Sequence, residues 1–294
     1  MLKEIKQFFL KGTVLSRLIM INLGVFILLN FVRLIFFLWN VQGVGDVMTA
    51  WLGVSSNPMR ILSRPWTLLT YMFLHLDFFH LIFNMIMLYV GGRLFSDFIG
   101  TGKLTVNYIL GGLFGALFFV LAFNLFPVFS EVRSVAVALG ASASVLAIFI
   151  AISVYMPDFE LPLLLLGRIK LKYIAIVFVL IDILSIERGN PGGHIAHLGG
   201  AFWGFFYAKR LLAGKDPSSP INRWMKSLGS LFSRTPRMRV RYQRGRPLTD
   251  DEYNDQRADR QKEIDRILDK ISQSGYESLT SKEKELLFKV SGKD

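Results

Sequence analysis

The sequence contains no cysteine in its 294 residues, which excludes disulfide bonds and thiolate chemistry. It also lacks the HExxH motif that marks one class of zinc proteases. Charge is missing from two long stretches, residues 104–130 and 134–157, which contain no Asp, Glu, Lys or Arg. Because roughly 20 apolar residues are enough to cross the hydrocarbon core of a bilayer, either stretch could span a membrane.

Apolar residues dominate what is present. The chain is 52% hydrophobic and 14% aromatic, with 26 phenylalanines and a mean hydropathy of +0.42. A soluble domain this apolar would expose large adhesive surfaces, so we expect an all-α polytopic membrane protein. The first residues, "MLKEIKQFFLKG", are basic and amphipathic and lack the apolar core of a signal peptide. Residues 1–13 are therefore predicted to be a cytoplasmic N-terminal segment.

Hydropathy and helical spacing predict six membrane-spanning helices within a core of residues 14–212. The predicted spans are 14–39, 77–99, 104–127, 135–156, 169–186 and 194–212. The connection between the first two spans, about 40–76, is long, apolar and contains tryptophan, which favours a position partly in the membrane interface.

Lysine and arginine are more frequent on one side of the predicted bundle, and this bias sets its orientation. The basic residues on the side of the N-terminus are Lys3, Lys6, Lys11, Arg17, Arg93, Lys103, Arg168, Lys170 and Lys172. Positively charged segments stay in the cytoplasm. We therefore expect a multi-pass protein of the cell (inner) membrane with both termini cytoplasmic.

Two segments follow the last predicted span. Residues 213–249 form a basic linker suited to anionic lipid headgroups, since 215–246 contains nine Lys or Arg against one acid. A nucleic-acid arm would be poorly placed beside a membrane, so no nucleic acid is expected as a partner. Residues 250–294 are predicted to form a small helical hairpin, because Gly275 interrupts them and "TSKE" (280–283) is a capping box. The hairpin could be a solubilising tail or a docking site for a partner.

A polar set lies in the otherwise apolar stretch "FLHLDFFHLIFN" (73–84). Unpaired polar groups are costly in lipid, so His80 and Asn84, one turn apart on one helix face, need polar surroundings. Spans two, four and six run in the same direction, and their N-terminal ends meet near the outer surface. Span four brings "LGASAS" (139–144) and span six brings "GGHIAHLGG" (192–200) to that depth.

These residue types are the ones that acyl transfer requires. A serine becomes a nucleophile when a neutral imidazole accepts its proton. The helix N-terminus at Ser142 offers backbone N–H groups to a developing oxyanion, and His80 and Asn84 offer side-chain donors.

Small residues decide which groups meet. A glycine face lets span six approach span four and brings His197 to Ser142. That face consists of Gly199, Gly200 and Gly204. The second serine of the motif, Ser144, is turned by about 200° around the helix, so both serines cannot face one imidazole. We expect its hydroxyl to donate to a carbonyl one turn back.

Four ordered motifs resemble those of the rhomboid family of intramembrane serine proteases. They are Trp66 before span two, "HLDFFHLIFN", "GAS" with Ser142, and "AHLGG" with His197. The resemblance covers about 14–212 and implies the six-helix rhomboid fold, with transmembrane proteins as substrates and no cofactor. It implies that Ser142 is the nucleophile and His197 the base of a dyad without a third acid. His80 and Asn84 would line the oxyanion hole.

The sequence departs from the rhomboid pattern at three positions. Ala143 stands where glycine usually follows the serine, and we expect slightly looser packing. Thr67 stands where arginine usually follows the tryptophan, so Arg64 is a candidate for the missing anchor. Leu146 replaces an aromatic residue that packs on the catalytic imidazole, which predicts that His197 is held less tightly.

The remaining polar residues leave other interpretations open. His75, at the start of span two, is expected to be structural. His194 lies one turn from His197, but no carboxylate or thiolate is clearly directed at it, so no metal site is expected. The alternative function is a non-proteolytic relative that binds and escorts transmembrane helices. A transporter with midplane polar residues such as Asp182 is disfavoured, because one half of the sequence does not repeat the other.

Overall fold

Helices account for most of the computed structural model, which describes residues 12–163, 167–221, 223 and 249–291. Two compact units divide the chain, residues 1–234 and 235–294. The helices of the first unit are α1 (Val14–Leu38), α2 (Val44–Leu52), α3 (Pro58–Ser63), α4 (Thr67–Thr70), α5 (Phe78–Phe95), α6 (Thr101–Leu125), α7 (Ser142–Tyr155), α8 (Leu171–Ser185) and α9 (Pro191–Leu212). Its strands are β1 (Val54–Ser55), β2 (Val137–Ala138), β3 (Glu160–Leu163) and β4 (Gly167–Lys170).

Side-chain caps set where three long helices begin. Thr13 accepts from the Ser16 N–H at the start of α1 (3.1 Å), and Asp77 accepts from the His80 N–H at the start of α5 (2.7 Å). Asn190 accepts from the Gly193 N–H (3.0 Å) just before Pro191 opens α9. An oxygen that satisfies an otherwise unpaired N–H fixes the register of the first turn. The caps therefore place the histidines of α5 and α9 near the helix N-termini.

Length and composition allow two helical stretches to cross a membrane, Val14–Leu38 and Phe78–Leu125. The second stretch is divided into α5 and α6, because Gly100, with φ 121° and ψ 136°, does not have a helical backbone conformation. Large apolar side chains on the long helices face outward: Phe79 is 78% exposed and Leu184 is 68% exposed. Such surfaces are unfavourable in water and favourable in lipid, so this is a membrane protein.

Glycines let two helices, α6 and α9, pack closely against α7. A side chain on Gly200 of α9 would overlap the carbonyl oxygen of Ala143, and one on Gly204 would overlap that of Ala147. Gly111, on α6, lies against the Ala147 side chain in the same way. The predicted approach of span six to span four therefore forms through Gly200 and Gly204. Gly199 was predicted to share this role, but it faces the Phe114 carbonyl of α6.

Span four differs most from its prediction. Residues 135–156 were predicted to form one span, whereas α7 begins only at Ser142. The preceding residues 137 and 138 form β2, which pairs antiparallel with β1 in the register Val54↔Ala138. Since the pairing partner lies in the first connection, far away in the sequence, hydropathy alone could not place this boundary. The fourteen residues of α7 span about 21 Å, less than the roughly 30 Å of a hydrocarbon core.

The first connection is ordered by a cluster of aromatic and basic side chains. The Arg64 guanidinium lies 4.1 Å from the centre of the Trp51 ring and donates to the Ala50 carbonyl oxygen (2.7 Å). Trp66 stacks on Trp51 with ring centres 6.0 Å apart, and its indole N–H donates to the Trp51 carbonyl oxygen (2.8 Å). Arg64 thus provides an anchor where Thr67 replaces the arginine of the rhomboid pattern.

The described residues of the second unit form two helices, α10 (Asp250–Ser274) and α11 (Ser281–Ser291). Gly275, with φ +78°, ends α10. The capping box at α11 forms as predicted, since Glu283 accepts from the Thr280 N–H (2.7 Å) and Thr280 accepts from the Glu283 N–H (3.4 Å). The Glu283 carboxylate accepts hydrogen bonds from the Thr280 N–H, from Lys270 and from the Thr280 hydroxyl, and these lower the pKa of Glu283 to about 2. Most of the predicted basic linker, 213–249, lies outside the described residues.

The packing predicts that Gly200→Ala destabilises the protein. The added methyl group would collide with the main chain of α7, and overpacking of this kind typically costs about 1–3 kcal/mol. Gly24→Ala is the matched control, because nothing lies within 4 Å of a methyl group at that helical position. Thermal unfolding of the purified protein in detergent should show a lower midpoint for the first variant only. Equal midpoints would contradict the close approach of α7 and α9.

Candidate active site

Ser142 is the first residue of α7, and the preceding loop fixes its position. Gly140 has φ +118°, a conformation that favours glycine, and its N–H donates to the Tyr71 carbonyl oxygen (2.9 Å). The next N–H, that of Ala141, lies 3.4 Å from His75 Nε2. Because Ser142 opens the helix, its own N–H is not used by the hydrogen bonds within the helix. It lies at the positive end of the helix dipole.

His197 reaches this serine from α9. Its Nε2 lies 2.6 Å from Ser142 Oγ, within hydrogen-bonding distance. His197 precedes Gly200 by three residues and so shares the helix face that approaches α7. The structure therefore brings together the serine and the histidine that the sequence selects.

A carboxylate that was not predicted from the sequence also lies at this site. Asp182 Oδ1, from α8, lies 2.7 Å from His197 Nδ1 and 2.8 Å from His194 Nδ1. The expectation of a dyad without a third acid does not describe this geometry. The expectation that no carboxylate is directed at His194 was also wrong. Asp182 lies three residues from the end of α8 and joins the site through these two imidazoles.

His80 borders the same space as Ser142. A side chain on Gly140 would meet the His80 ring at 3.0 Å and Ser142 Oγ at 3.7 Å, so the ring and the hydroxyl flank one α-carbon. The rings of His80 and His75 lie 5.3 Å apart, edge to face. Gly140 therefore supports the site twice, through its backbone conformation and through the space that it leaves.

Asn84 lies behind these rings and is 2% exposed. Its Nδ2 donates to the His80 carbonyl oxygen (3.0 Å) and lies 3.3 Å from His75 Nε2. Both hydrogens of this nitrogen are thus directed at the wall of the site and not at Ser142. His75 Nδ1 lies 3.4 Å from the Phe73 carbonyl oxygen. The contacts of His75 connect α5 to the loop before α7, which is a structural role.

The comparison with known families covers these elements. The Rhomboid domain family matches residues 62–214, just over half of the 294 residues. The chain belongs to the rhomboid family. Residues 249–293 match a second family, DUF6576, whose function is unknown. Among curated proteins, none gives a significant match to the chain.

Two departures from the rhomboid pattern are compensated. Ala143 is 2% exposed, and its methyl group fills the space left by Gly115, where an added side chain would lie only 2.6 Å away. The packing there is tight, contrary to the expectation of looser packing. Leu146 is half-buried and packs against the core. His197 was expected to be held less tightly, but its hydrogen bond to Asp182 fixes the ring.

Ser144 contributes no hydrogen bond to this rhomboid site. Its hydroxyl is buried and, within the described residues, has no hydrogen-bond partner. The prediction that it donates to a carbonyl one turn back was therefore wrong. Gly111 of α6 packs against α7 at this position. An unpaired buried hydroxyl typically costs about 1–3 kcal/mol.

A metal-binding group of side chains exists in principle at the site. The ligand atoms of Asp182, His194 and His197 lie within 4.8 Å of one another. The separations of 2.7 and 2.8 Å between oxygen and nitrogen are those of hydrogen bonds. Ligands around a tetrahedral zinc ion lie farther apart, about 3.3 Å for bonds of about 2.0–2.1 Å. The observed geometry is therefore that of a hydrogen-bonded cluster.

One signal in the sequence could have located Asp182. It is the single ionisable residue in the apolar stretch "IAIVFVLIDILS" (174–185). An ionisable side chain inside a membrane helix is costly and usually functional. The orientation of spans five and six, which are adjacent in the sequence, brings the end of one beside the start of the other. That proximity would have paired Asp182 with His194 and His197.

Proposed function

We propose that this rhomboid is an intramembrane serine endopeptidase that hydrolyses peptide bonds of transmembrane proteins near the outer side of the membrane. The observation that supports the proposal most directly is the distance of 2.6 Å between Ser142 Oγ and His197 Nε2. A protein that only binds and escorts transmembrane helices has no need of a serine paired with a base.

The proposed reaction begins when Ser142 Oγ attacks the scissile carbonyl carbon while its proton passes to His197 Nε2. Collapse of the tetrahedral intermediate breaks the C–N bond, and His197 returns the proton to the leaving amine. An acyl-enzyme on Ser142 remains. A water molecule, deprotonated by His197, then hydrolyses the ester and restores the serine. No cofactor is required in these steps.

The oxyanion of each intermediate needs donors close to Ser142. We assign this role to the Ser142 N–H, His80 and Asn84. The position of His80 beside Gly140 and Ser142 supports its assignment. Asn84 donates to His80 and His75 in this structure, so its participation requires the amide to turn toward the substrate.

The membrane arrangement follows from the helices and the basic residues. We propose that α1, α5, α6, α7, α8 and α9 all cross the cell (inner) membrane, with both termini in the cytoplasm. The site then lies below the outer surface. Single-span substrates would enter there, at places where small or helix-breaking residues let the segment unwind. The basic linker 213–249 would remain near anionic headgroups.

Labelling with a fluorophosphonate probe tests the nucleophile. Ser142→Ala should abolish both labelling and hydrolysis of a transmembrane substrate, because the probe forms its covalent bond with an activated serine oxygen. Ser144→Ala is the matched control and should retain both. Removal of its unpaired hydroxyl should also leave the unfolding midpoint unchanged or higher. Full activity in the double variant would contradict the serine-protease proposal. Absence of both hydrolysis and labelling in the folded parent protein would favour a non-proteolytic rhomboid.

The oxyanion assignment predicts graded losses. Asn84→Ala and His80→Ala should each lower turnover about a hundred- to a thousand-fold, the usual effect of losing one oxyanion donor. Asn30→Ala is a suitable control, since that amide also donates to a carbonyl one turn back, 2.9 Å away at Phe26, but on α1. Initial rates on a transmembrane substrate give the measurement. If both variants cleave at the rate of the parent protein, His80 and Asn84 have only a packing role.

Orientation is tested with epitope tags in intact cells. A tag placed before Met1 and one placed after Asp294 should both be protected from protease added outside. A tag inserted in the first connection, between Asn40 and Gly43, should be digested because that segment is expected outside. Digestion of either terminal tag would contradict the predicted topology, and digestion of both would reverse it and move the site to the inner surface.

A further inference from the structure

We infer that Asp182 is a positioning residue that holds His197 in the tautomer that activates Ser142. The inference deepens the proposed protease function and depends on it. It adds a third member, contributed by a different helix, to the serine and histidine pair.

The hydrogen-bonding capacity of the carboxylate determines the tautomer. Ionised Asp182 can only accept, and its Oδ1 lies 2.7 Å from His197 Nδ1. The proton of a neutral His197 must therefore be on Nδ1. Its Nε2 then carries a free lone pair, directed at Ser142 Oγ 2.6 Å away. This is the arrangement in which imidazole accepts the serine proton. The negative charge also stabilises the imidazolium that forms.

His194 keeps the carboxylate in place. Its Nδ1 lies 2.8 Å from the same Oδ1, and it precedes His197 by three residues on α9. The Asp182 side chain is only 8% exposed, so its charge needs donors nearby. Two N–H groups from adjacent turns of one helix supply them. They restrict rotation of the carboxylate and hence of the His197 ring.

A purely structural role for Asp182 is the competing explanation. The buried residues of α8 are Leu171, Ala175 and Asp182. Asp182 thus lies on the strip that attaches α8 to the bundle, and its bonds to α9 would stabilise that contact in any case. The two roles differ in one respect. Attachment of α8 to α9 requires only that residue 182 form a hydrogen bond with His197. Positioning of His197 requires that residue 182 accept a hydrogen bond from Nδ1–H.

Asp182→Asn separates the two roles. The amide is nearly isosteric and can donate to His197 Nδ1, which moves the ring proton to Nε2 and removes the acceptor from Ser142. We expect fluorophosphonate labelling and kcat to fall by up to about 10⁴-fold, the effect of the wrong histidine tautomer in a Ser-His-Asp triad. Asp182→Ala should lose no more activity than Asp182→Asn. Asp182→Glu should recover part of it. Ile183→Ala, 49% exposed on the same helix, is the control.

Direct observation of the tautomer completes the experiment without depending on a stable variant. Nitrogen-15 NMR of the parent protein with labelled histidine should show His197 protonated on Nδ1, and protonated on Nε2 in Asp182→Asn. Protonation on Nε2 in the parent would overturn the inference. So would a parent-like labelling rate in an Asp182→Asn variant whose His197 is protonated on Nε2, alongside an unlabelled Ser142→Ala. Protonation on Nδ1 in that variant would show that the amide oxygen still accepts from His197, and parent-like labelling would then agree with the inference.

Two further outcomes are distinct. If Ser142→Ala is still labelled, the proposed protease function fails, and the inference fails with it. If dialysis of the parent against a chelator abolishes labelling and zinc restores it, Asp182 acts through a metal ion. That result would overturn the hydrogen-bonded assignment while leaving the serine protease proposal intact.

Discussion

The close approach of α7 and α9 is the constraint on which the site depends. Two main chains can come this near only where side chains are missing, at Gly200 and Gly204. Within a bilayer, lipid tails are as apolar as the helix surfaces, so helix association relies on packing of this kind. The distance of 2.6 Å between His197 and Ser142 is a consequence of it. A side chain at Gly200 would push the imidazole away from the hydroxyl.

Several polar groups at the site are paired with one another in apolar surroundings. Asp182 accepts from two imidazoles, and His75 lies between the Asn84 amide and the Ala141 N–H. Isolated, such groups would each cost several kcal/mol in a low-dielectric interior. Paired, they link neighbouring helices to one another. On α8, Asp182 is the buried residue nearest the C-terminal end, and both of its imidazole partners are on α9.

The sequence predicts some of this and not the rest, for physical reasons. Hydropathy locates the helices within a few residues, and the common direction of the even spans brings Ser142 and His197 together. The role of Asp182 was not predicted, because hydropathy locates a residue along a helix but does not show which neighbouring helix its side chain faces. The start of α7 was not predicted correctly because it depends on the pairing of Val54 with Ala138, which are far apart in the sequence.

The late start of α7 has an electrostatic consequence. A helix of about 21 Å is shorter than a hydrocarbon core, so the N-terminus that carries Ser142 can lie inside the bundle. The positive end of its dipole then acts in a medium of low dielectric constant, where its interaction with an oxyanion is stronger than in water. Asp182 places a negative charge beyond the opposite nitrogen of His197. In the proposed reaction, the transfer of a proton from Ser142 to His197 would create a negative charge near the helix end and a positive charge near the carboxylate, so both fields would favour it.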